Sequence, residues 1–274
     1  MTIRFHGVRG STPVPQAAMM HFGGNTACVE VRSKKGTLVI LDAGTGIRSL
    51  GLSLMKEYGE RPIHAAILLS HTHWDHIQGF PFFLPLFDKK NSFHIYGKSR
   101  YTKSLEEIMA GQMEHKYFPV SLKEIGSPVQ FKMVEEGAFT IGGDVTITAK
   151  EHYHPGGAYT YRIEADGATV VYSTDTEHVD GRLDERVVAI AKDADLLIHD
   201  TQYDDADIVT HAGWGHSSYR QACEVAKRAG VKRLSLFHYD PVYDDRKVKA
   251  ILRDAQKLFK NTMAAREGAA VSIG

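Results

Sequence analysis

Residues 63–70 read as a short buried strand, and the chain leaves it through His71-Thr72-His73-Trp74-Asp75-His76. In extended backbone, side chains two apart point to the same side, so His71 and His73 can present imidazoles to one metal ion. A turn just after Trp74 lets Asp75 and His76 meet a second ion beside the first. Imidazole with an added carboxylate suits zinc, iron or manganese held with one position open for water. A surface loop that happens to be His-rich is the bland alternative. Three His and one Asp within six residues at the exit of an apolar strand argue against it.

A binuclear site needs further donors from other strand ends. His154 opens His-Pro-Gly-Gly, where small residues let the backbone approach a ligand closely. Asp175 ends Val170-Val171-Tyr172-Ser173-Thr174-Asp175, where a carboxylate can bridge two cations, and His238 ends Leu234-Ser235-Leu236-Phe237-His238 in the same manner. Taken singly, each is more often a cap or loop residue; the shared position at strand exits singles them out. His152, two residues before His154, competes with it as a donor.

Composition narrows the partners. The 274 residues are 43% hydrophobic, which suits a globule with a real core, and include 15 His, more than the 12 Tyr or the 12 Phe. Thirty-three Lys plus Arg cancel 33 Asp plus Glu, so bulk charge announces neither nucleic acid nor an acidic membrane surface. Cys28 and Cys223 form no CxxC pair, so neither a disulfide framework nor a thiolate zinc site is indicated. With no apolar stretch of membrane-spanning length and no apolar leader at Met1, the expected setting is the cytoplasm, with no membrane partner.

Short β-branched runs at residues 3–6, 27–32 and 37–41 open the chain, followed by a helical pattern over 47–55. Strands return at 93–96, 145–148, 159–163 and 169–172. Helix and strand then alternate through 184–192, 196–199, 217–229, 233–237 and 244–259. Strands first and βα alternation later predict an α/β (α+β) fold with helices covering sheets on more than one face. A single domain over 1–274 is expected, with a pocket-shaping insertion around 88–127. The run Phe80 to Phe87 reads as core more than as a base-stacking platform.

The ordered set His-Thr-His-Trp-Asp-His, His154, Asp175 and His238 resembles the metallo-β-lactamase superfamily, and the segment Leu41-Asp42-Ala43-Gly44 is similar to that family's pattern too. The resemblance implies a four-layer αββα sandwich with a binuclear site at one edge, usually of zinc, with manganese as the alternative. His71, His73 and His154 would hold the first ion, Asp75, His76 and His238 the second, and Asp175 would bridge them. A carboxylate at Asp175 resembles the phosphodiesterase branch more than the lactamases. The segments Leu197-Ile198-His199-Asp200-Thr201 and Gly215-His216-Ser217-Ser218 resemble a motif pair of tRNase Z and its relatives, with Asp200 where glutamate is usual and Ser218 where threonine is common. The implied catalytic residues are Asp75, His216 as a proton donor, and Asp200 holding it. The plain alternative for 216–218 is a helix start capped by serine. Arg9, Asn25 and Thr26, in polar connections at strand edges, are the candidate substrate contacts; as plain turns they would do no more than reverse the chain. Relatives in this branch also imply a homodimer.

Two cations about 3.5–4 Å apart lower the pKa of a bridging water and clamp phosphoryl oxygens, while a ribose alkoxide leaving group calls for a positioned acid. The expected activity is attack of a metal-bridging hydroxide on a small cyclic phosphodiester, a 3′,5′-cyclic nucleotide or a ribosyl cyclic phosphate. Neutral charge and the lack of a basic arm weigh against the runner-up, a tRNase Z-like endoribonuclease. Thioester or lactone hydrolysis on the same fold is the third reading. The segment 41–46 follows a strand as a dinucleotide fingerprint would, but Ser49 occupies the place of the third glycine, and a structural turn in which Asp42 bonds nearby backbone is the better reading.

Overall fold

The computed structural model describes residues 1–98 and 102–274. Two seven-stranded sheets form its centre. The first runs β14 (Ala270–Ser272), β1 (Thr2–Gly7), β2 (Cys28–Arg32), β3 (Leu38–Leu41), β4 (His64–Leu68), β5 (Ser92–Gly97), β6 (Val129–Met133). The second runs β13 (Thr262–Ala264), β12 (Leu234–Phe237), β11 (Leu196–Asp200), β10 (Ala168–Ser173), β9 (Ala158–Ala165), β8 (Val145–His152), β7 (Gly137–Ile141). Each sheet is half antiparallel and half parallel: β3 to β6 run parallel in one, β10 to β13 in the other.

The period of two in a strand sorts side chains between two cores. Val39 and Leu41 of β3 join a core with Phe5, Val31, Ile147, Tyr161 and Val171, which come from both sheets. Leu38 and Ile40 point the other way, into a second core with Phe93 and Ile95 of β5. Strands buried on both faces therefore read as unbroken apolar runs. Helix α1 (Gly46–Tyr58) closes the second core with Ile47, Leu50 and Leu54, spaced to fall on one helical face. Removing Leu50, fully buried there, would cost about 2–5 kcal/mol. The short α2 (Trp74–Ile77) and α3 (Leu105–Gly111) lie on this side, and Leu105 and Met109 add to the same core. On the far side, α4 (Glu185–Ile190), α6 (Tyr219–Ala229) and α7 (Asp245–Leu258) bury Val187, Val225 and Ile251 against the second sheet, with α5 (Asp207–Thr210) between α4 and α6 in sequence. The result is the expected four-layer αββα sandwich.

Residues 88–127 contribute a strand and a helix to this frame. β5 is an interior strand paired with both β4 and β6. Leu105, Met109 and Met113 pack down as a cover on the second core. Phe80, Phe83 and Leu86 are buried in that core as well, in two 3-10 turns that carry Pro81 and Pro85 near their starts, while Phe82, Leu84 and Phe87 of the same run stay exposed. β8 runs four residues beyond the expected 145–148 because its pairing with β9 continues to His152 opposite Ala158. The edge strands β13 and β14, three residues each, were below what an apolar pattern reveals. Among the described residues no helix is long and apolar enough to cross a membrane.

Candidate metal centre

The exits of parallel strands, where open α/β sheets place their ligands, supply the site. β3 delivers Asp42, β4 leads to His71, β10 leads to Asp175, β11 ends in Asp200, and β12 delivers His238. Asp42, Asp175 and His238 adopt left-handed backbone, with φ of 60°, 50° and 64°. A non-glycine residue held there costs of order 1–3 kcal/mol and persists where surrounding contacts dictate it.

Two groups of donors lead at these exits, and Asp175, Asp200, His216 and His238 form a third that overlaps the second. His71, His73 and His154 each bring a ligand atom within 4.8 Å of the others, as do Asp75, His76, Asp175 and His238. Asp175 faces both groups: Oδ2 lies 3.0 Å from His76 Nε2 and 3.2 Å from His238 Nε2, while Oδ1 lies 3.8 Å from His71 Nε2. Asp75 Oδ2 lies 3.1 Å from His238 Nε2 and 3.2 Å from His76 Nε2. His154, at the turn after β8, joins His71 and His73. His152 instead points to Thr160 Oγ1 and to the backbone carbonyl of Asp175.

This donor set fits divalent cations. His71 Nε2 is buried with no hydrogen-bond partner. His73 Nδ1 faces His154 Nε2 at 3.1 Å, and His76 Nε2 faces His238 Nε2 at 3.2 Å. Lone pairs so opposed repel unless a proton or a cation stands between them. Burial pushes His71 well down and His154 down to about 4, which keeps these imidazoles in the neutral form that ligates. Burial works against the charge of Asp75 and Asp175, but the histidines around them outweigh it and hold both well below the usual carboxylate range.

A surrounding layer aims the donors. Asp42 accepts from Ser70 N–H, Ser70 Oγ and Tyr172 Oη, and stands 2.8 Å from His76 Nδ1, so Nε2 of His76 is the nitrogen turned to the site. The sequence showed Asp42 as a backbone brace and missed its grip on a ligand. His154 Nδ1 donates to the carbonyl of Gly215 at 2.9 Å. Asp75 Oδ2 accepts Ser11 N–H at 2.8 Å, so the connection after β1 does reach the site, at Ser11.

His216 sits beside the second group. Its Nδ1 is 2.8 Å from Asp200 Oδ2, and Asp200 Oδ1 accepts Ser217 N–H and Gln202 N–H. The shorter aspartate side chain reaches His216, bonding meanwhile to the backbone on both sides. Burial disfavours the charged imidazole, yet Asp200, with Asp175 and Asp75 behind it, outweighs burial and pushes His216 up to about 9. Ser218 also caps α6, its hydroxyl accepting Gln221 N–H while the Gln221 side chain accepts Ser218 N–H. Residues 216–218 therefore start a helix capped by serine while placing His216 against Asp200.

The three candidate substrate contacts take other jobs. Arg9 is fully buried, and its guanidinium donates to the carbonyls of Gly23, Asp240, Tyr243 and Met19, which leaves it no free edge for a phosphate. Thr26 is buried and exchanges hydrogen bonds with Thr45. Asn25 donates its side-chain amide to Glu267. A small cleft beside His71 and His73 is lined by Thr72, Lys98, Pro155, Gly156 and Gly157, and Lys98 was not foreseen there. Glu177, also unforeseen, accepts the backbone N–H groups of Gly213 and Gly215 just ahead of His216.

The sequence model of the β-lactamase superfamily domain matches residues 37–239. A ribonuclease Z of Gemmatimonas aurantiaca is 24% identical over 319 aligned residues, spanning 100% of this chain and 96% of the relative. Among solved structures, a diphosphatase from the PhnP family superposes with a TM-score of 0.73 at 19% identity, covering 100% of this chain and 98% of that one. The short form of human tRNase Z superposes with a TM-score of 0.70 at 20% identity, covering 100% of both chains. With the family match spanning most of the chain and the two-sheet architecture shared end to end, the chain belongs to the β-lactamase superfamily and is a metal-dependent hydrolase.

Proposed function

We propose that this hydrolase cleaves phosphodiesters, with a small cyclic phosphate, a 3′,5′-cyclic nucleotide or a ribosyl cyclic phosphate, as substrate. The observation that carries the reading is the Asp200–His216 pair set beside a double cation site. His71, His73 and His154 would hold one divalent ion, Asp75, His76 and His238 the other, and Asp175 would serve both; zinc is the proposed metal. When bound, two such ions activate water for attack and neutralise phosphoryl charge. Asp200 fixes Nδ1 of His216, so Nε2 is the nitrogen that can hand a proton to a departing alkoxide. Such a proton matters for ribose oxygens and hardly at all for a thioester, whose thiolate leaves readily without it.

Surface charge supports a small substrate. Lys150, Arg186, Arg220, Arg228 and Lys232 each pair with a neighbouring carboxylate, Glu136, Asp184, Asp205, Glu185 and Asp195 respectively, so these cations form no unbroken phosphate track. The second reading, endoribonuclease action on precursor tRNA, is favoured by the full-length relative named ribonuclease Z. The cytoplasm and a homodimer complete the proposal. Parallel assays of cyclic nucleotides, ribosyl cyclic phosphates, precursor tRNA and thioesters test it. Turnover of precursor tRNA with no turnover of cyclic phosphates would replace the first reading by the second.

A further inference from the structure

The chain has two tryptophans, and both are exposed next to site residues. Trp74 lies between His73 and Asp75; Trp214 lies two residues before His216 and is 62% exposed. The backbone around Trp214 is held from both sides. The buried carboxylate of Glu177 accepts N–H from the two residues that flank it, Gly213 at 2.6 Å and Gly215 at 2.8 Å. Both glycines have positive φ, 85° and 91°, and a Cβ on Gly215 would stand 2.1 Å from the His154 ring. The same Gly215 carbonyl receives His154 Nδ1–H. Behind the indole, His211 meets it edge-on at 4.8 Å and stacks on Tyr203 at 4.5 Å, and Tyr203 meets His216 edge-on at 5.8 Å. A row of rings thus leads from Trp214 to the proton donor.

An exposed aromatic face on a fixed stretch of backbone is a surface that a flat ligand can cover at little ordering cost. A flat face held beside phosphodiester chemistry matches a nucleobase, because every base offers a π-face and stacks on an aromatic side chain. We infer that Trp214 is the stacking platform for the base of the substrate, with Glu177 as the residue that positions it, so that the site prefers nucleoside cyclic phosphates to base-free ribosyl cyclic phosphates. For the reaction this rests on the phosphodiesterase reading above; for binding it stands alone.

The test uses the metal-loaded full chain in a W74F background, where Trp214 is the one remaining indole. Adenosine 5′-monophosphate should quench its fluorescence to saturation, and ribose 5-phosphate should not. In W214A, KM for 3′,5′-cyclic AMP should rise about 5- to 150-fold, the span expected for losing one stacked base, with kcat little changed and ribosyl cyclic phosphate kinetics unmoved. W214F should recover part of the loss. E177Q, which removes one of the two amide acceptors, should lower the fluorescence anisotropy of Trp214 and raise KM for the cyclic nucleotide alone. Absence of quenching by the mononucleotide overturns the inference. So does quenching by oligoribonucleotides only, an equal KM rise on both substrates, or loss of self-association in W214A, which would make a second copy of the chain the occupant. If no phosphodiester is turned over while the mononucleotide still quenches, the reaction assignment falls and the base platform stands.

Discussion

Asp200 ends β11 with one carboxylate oxygen 2.8 Å from His216 Nδ1 and the other on the backbone N–H of Ser217, so strand end and histidine form one rigid unit. A proton donor held this way should contribute most where the leaving group is a strong base. We expect D200N to lower kcat on an alkyl cyclic phosphate by about 10²–10³-fold, and far less on a nitrophenyl phosphodiester. Paired kinetics on the two substrates check this, with metal content measured alongside because Asp200 also accepts Asp175 N–H. Equal losses on both substrates, at full metal content, would remove the donor role from the pair.

Asp42 should matter as much as some ligands although it faces no cation. It holds His76 by Nδ1 and is itself fixed by Ser70 and Tyr172. D42N should weaken metal binding about 10–100-fold, read from competition with a chelator. Y172F, which removes one of the donors holding Asp42, should give a smaller loss in the same direction.

What the sequence revealed depended on how locally each residue works. His71, His73, Asp75 and His76 were legible because strand periodicity and one turn suffice to bring them together. His154 was preferred to His152 because it is followed by small residues, as in the family pattern; the pairing of β8 with β9 out to His152, which turns that side chain to Thr160, leaves no local pattern. Asp42 grips a residue 34 positions away, and Glu177 grips one 36 positions away, so neither partnership leaves a motif. Arg9 misled for a related reason: a Gly-rich polar connection resembles an exposed turn until the carbonyls that enclose it are seen.

Arg9 should behave as a strut. R9A strands the carbonyls of Gly23 and Tyr243, its shortest contacts at 2.8 and 2.6 Å, in a buried setting. The expected cost is about 2–5 kcal/mol in denaturant unfolding. KM of the protein that remains folded should be unchanged. A raised KM at wild-type stability would return Arg9 to the substrate.

Glu30 sets an acid limit on stability away from the metal centre. It lies 3.0 Å from His6 Nε2 and takes two hydrogen bonds from Arg32. Burial raises its pKa, but His6 and Arg32 outweigh burial and leave it below the ordinary 4.5. The folded chain therefore favours the ionised form: the stabilisation is complete above the unfolded value and is lost as pH falls through the lower folded one. E30Q should be less stable than the parent at neutral pH, and the gap between them should narrow below about pH 4.5 in unfolding curves taken across that range.

Metal removal should read out both the bridging geometry and the stability of the fold. The donors of the two groups are assembled in the folded chain alone, so a cation stabilises it by mass action, by about 2.7 kcal/mol at a hundredfold excess over Kd. For a chain of this size that is about 5 °C in Tm, which a chelator should abolish together with hydrolysis. Because Oδ1 and Oδ2 of Asp175 face different groups, D175A should lose most of both ions. H154A, which touches the first group alone, should keep about one ion per chain where the parent keeps about two. Elemental analysis of the purified variants decides it: D175A retaining one full equivalent would show that Asp175 serves a single ion and bridges nothing.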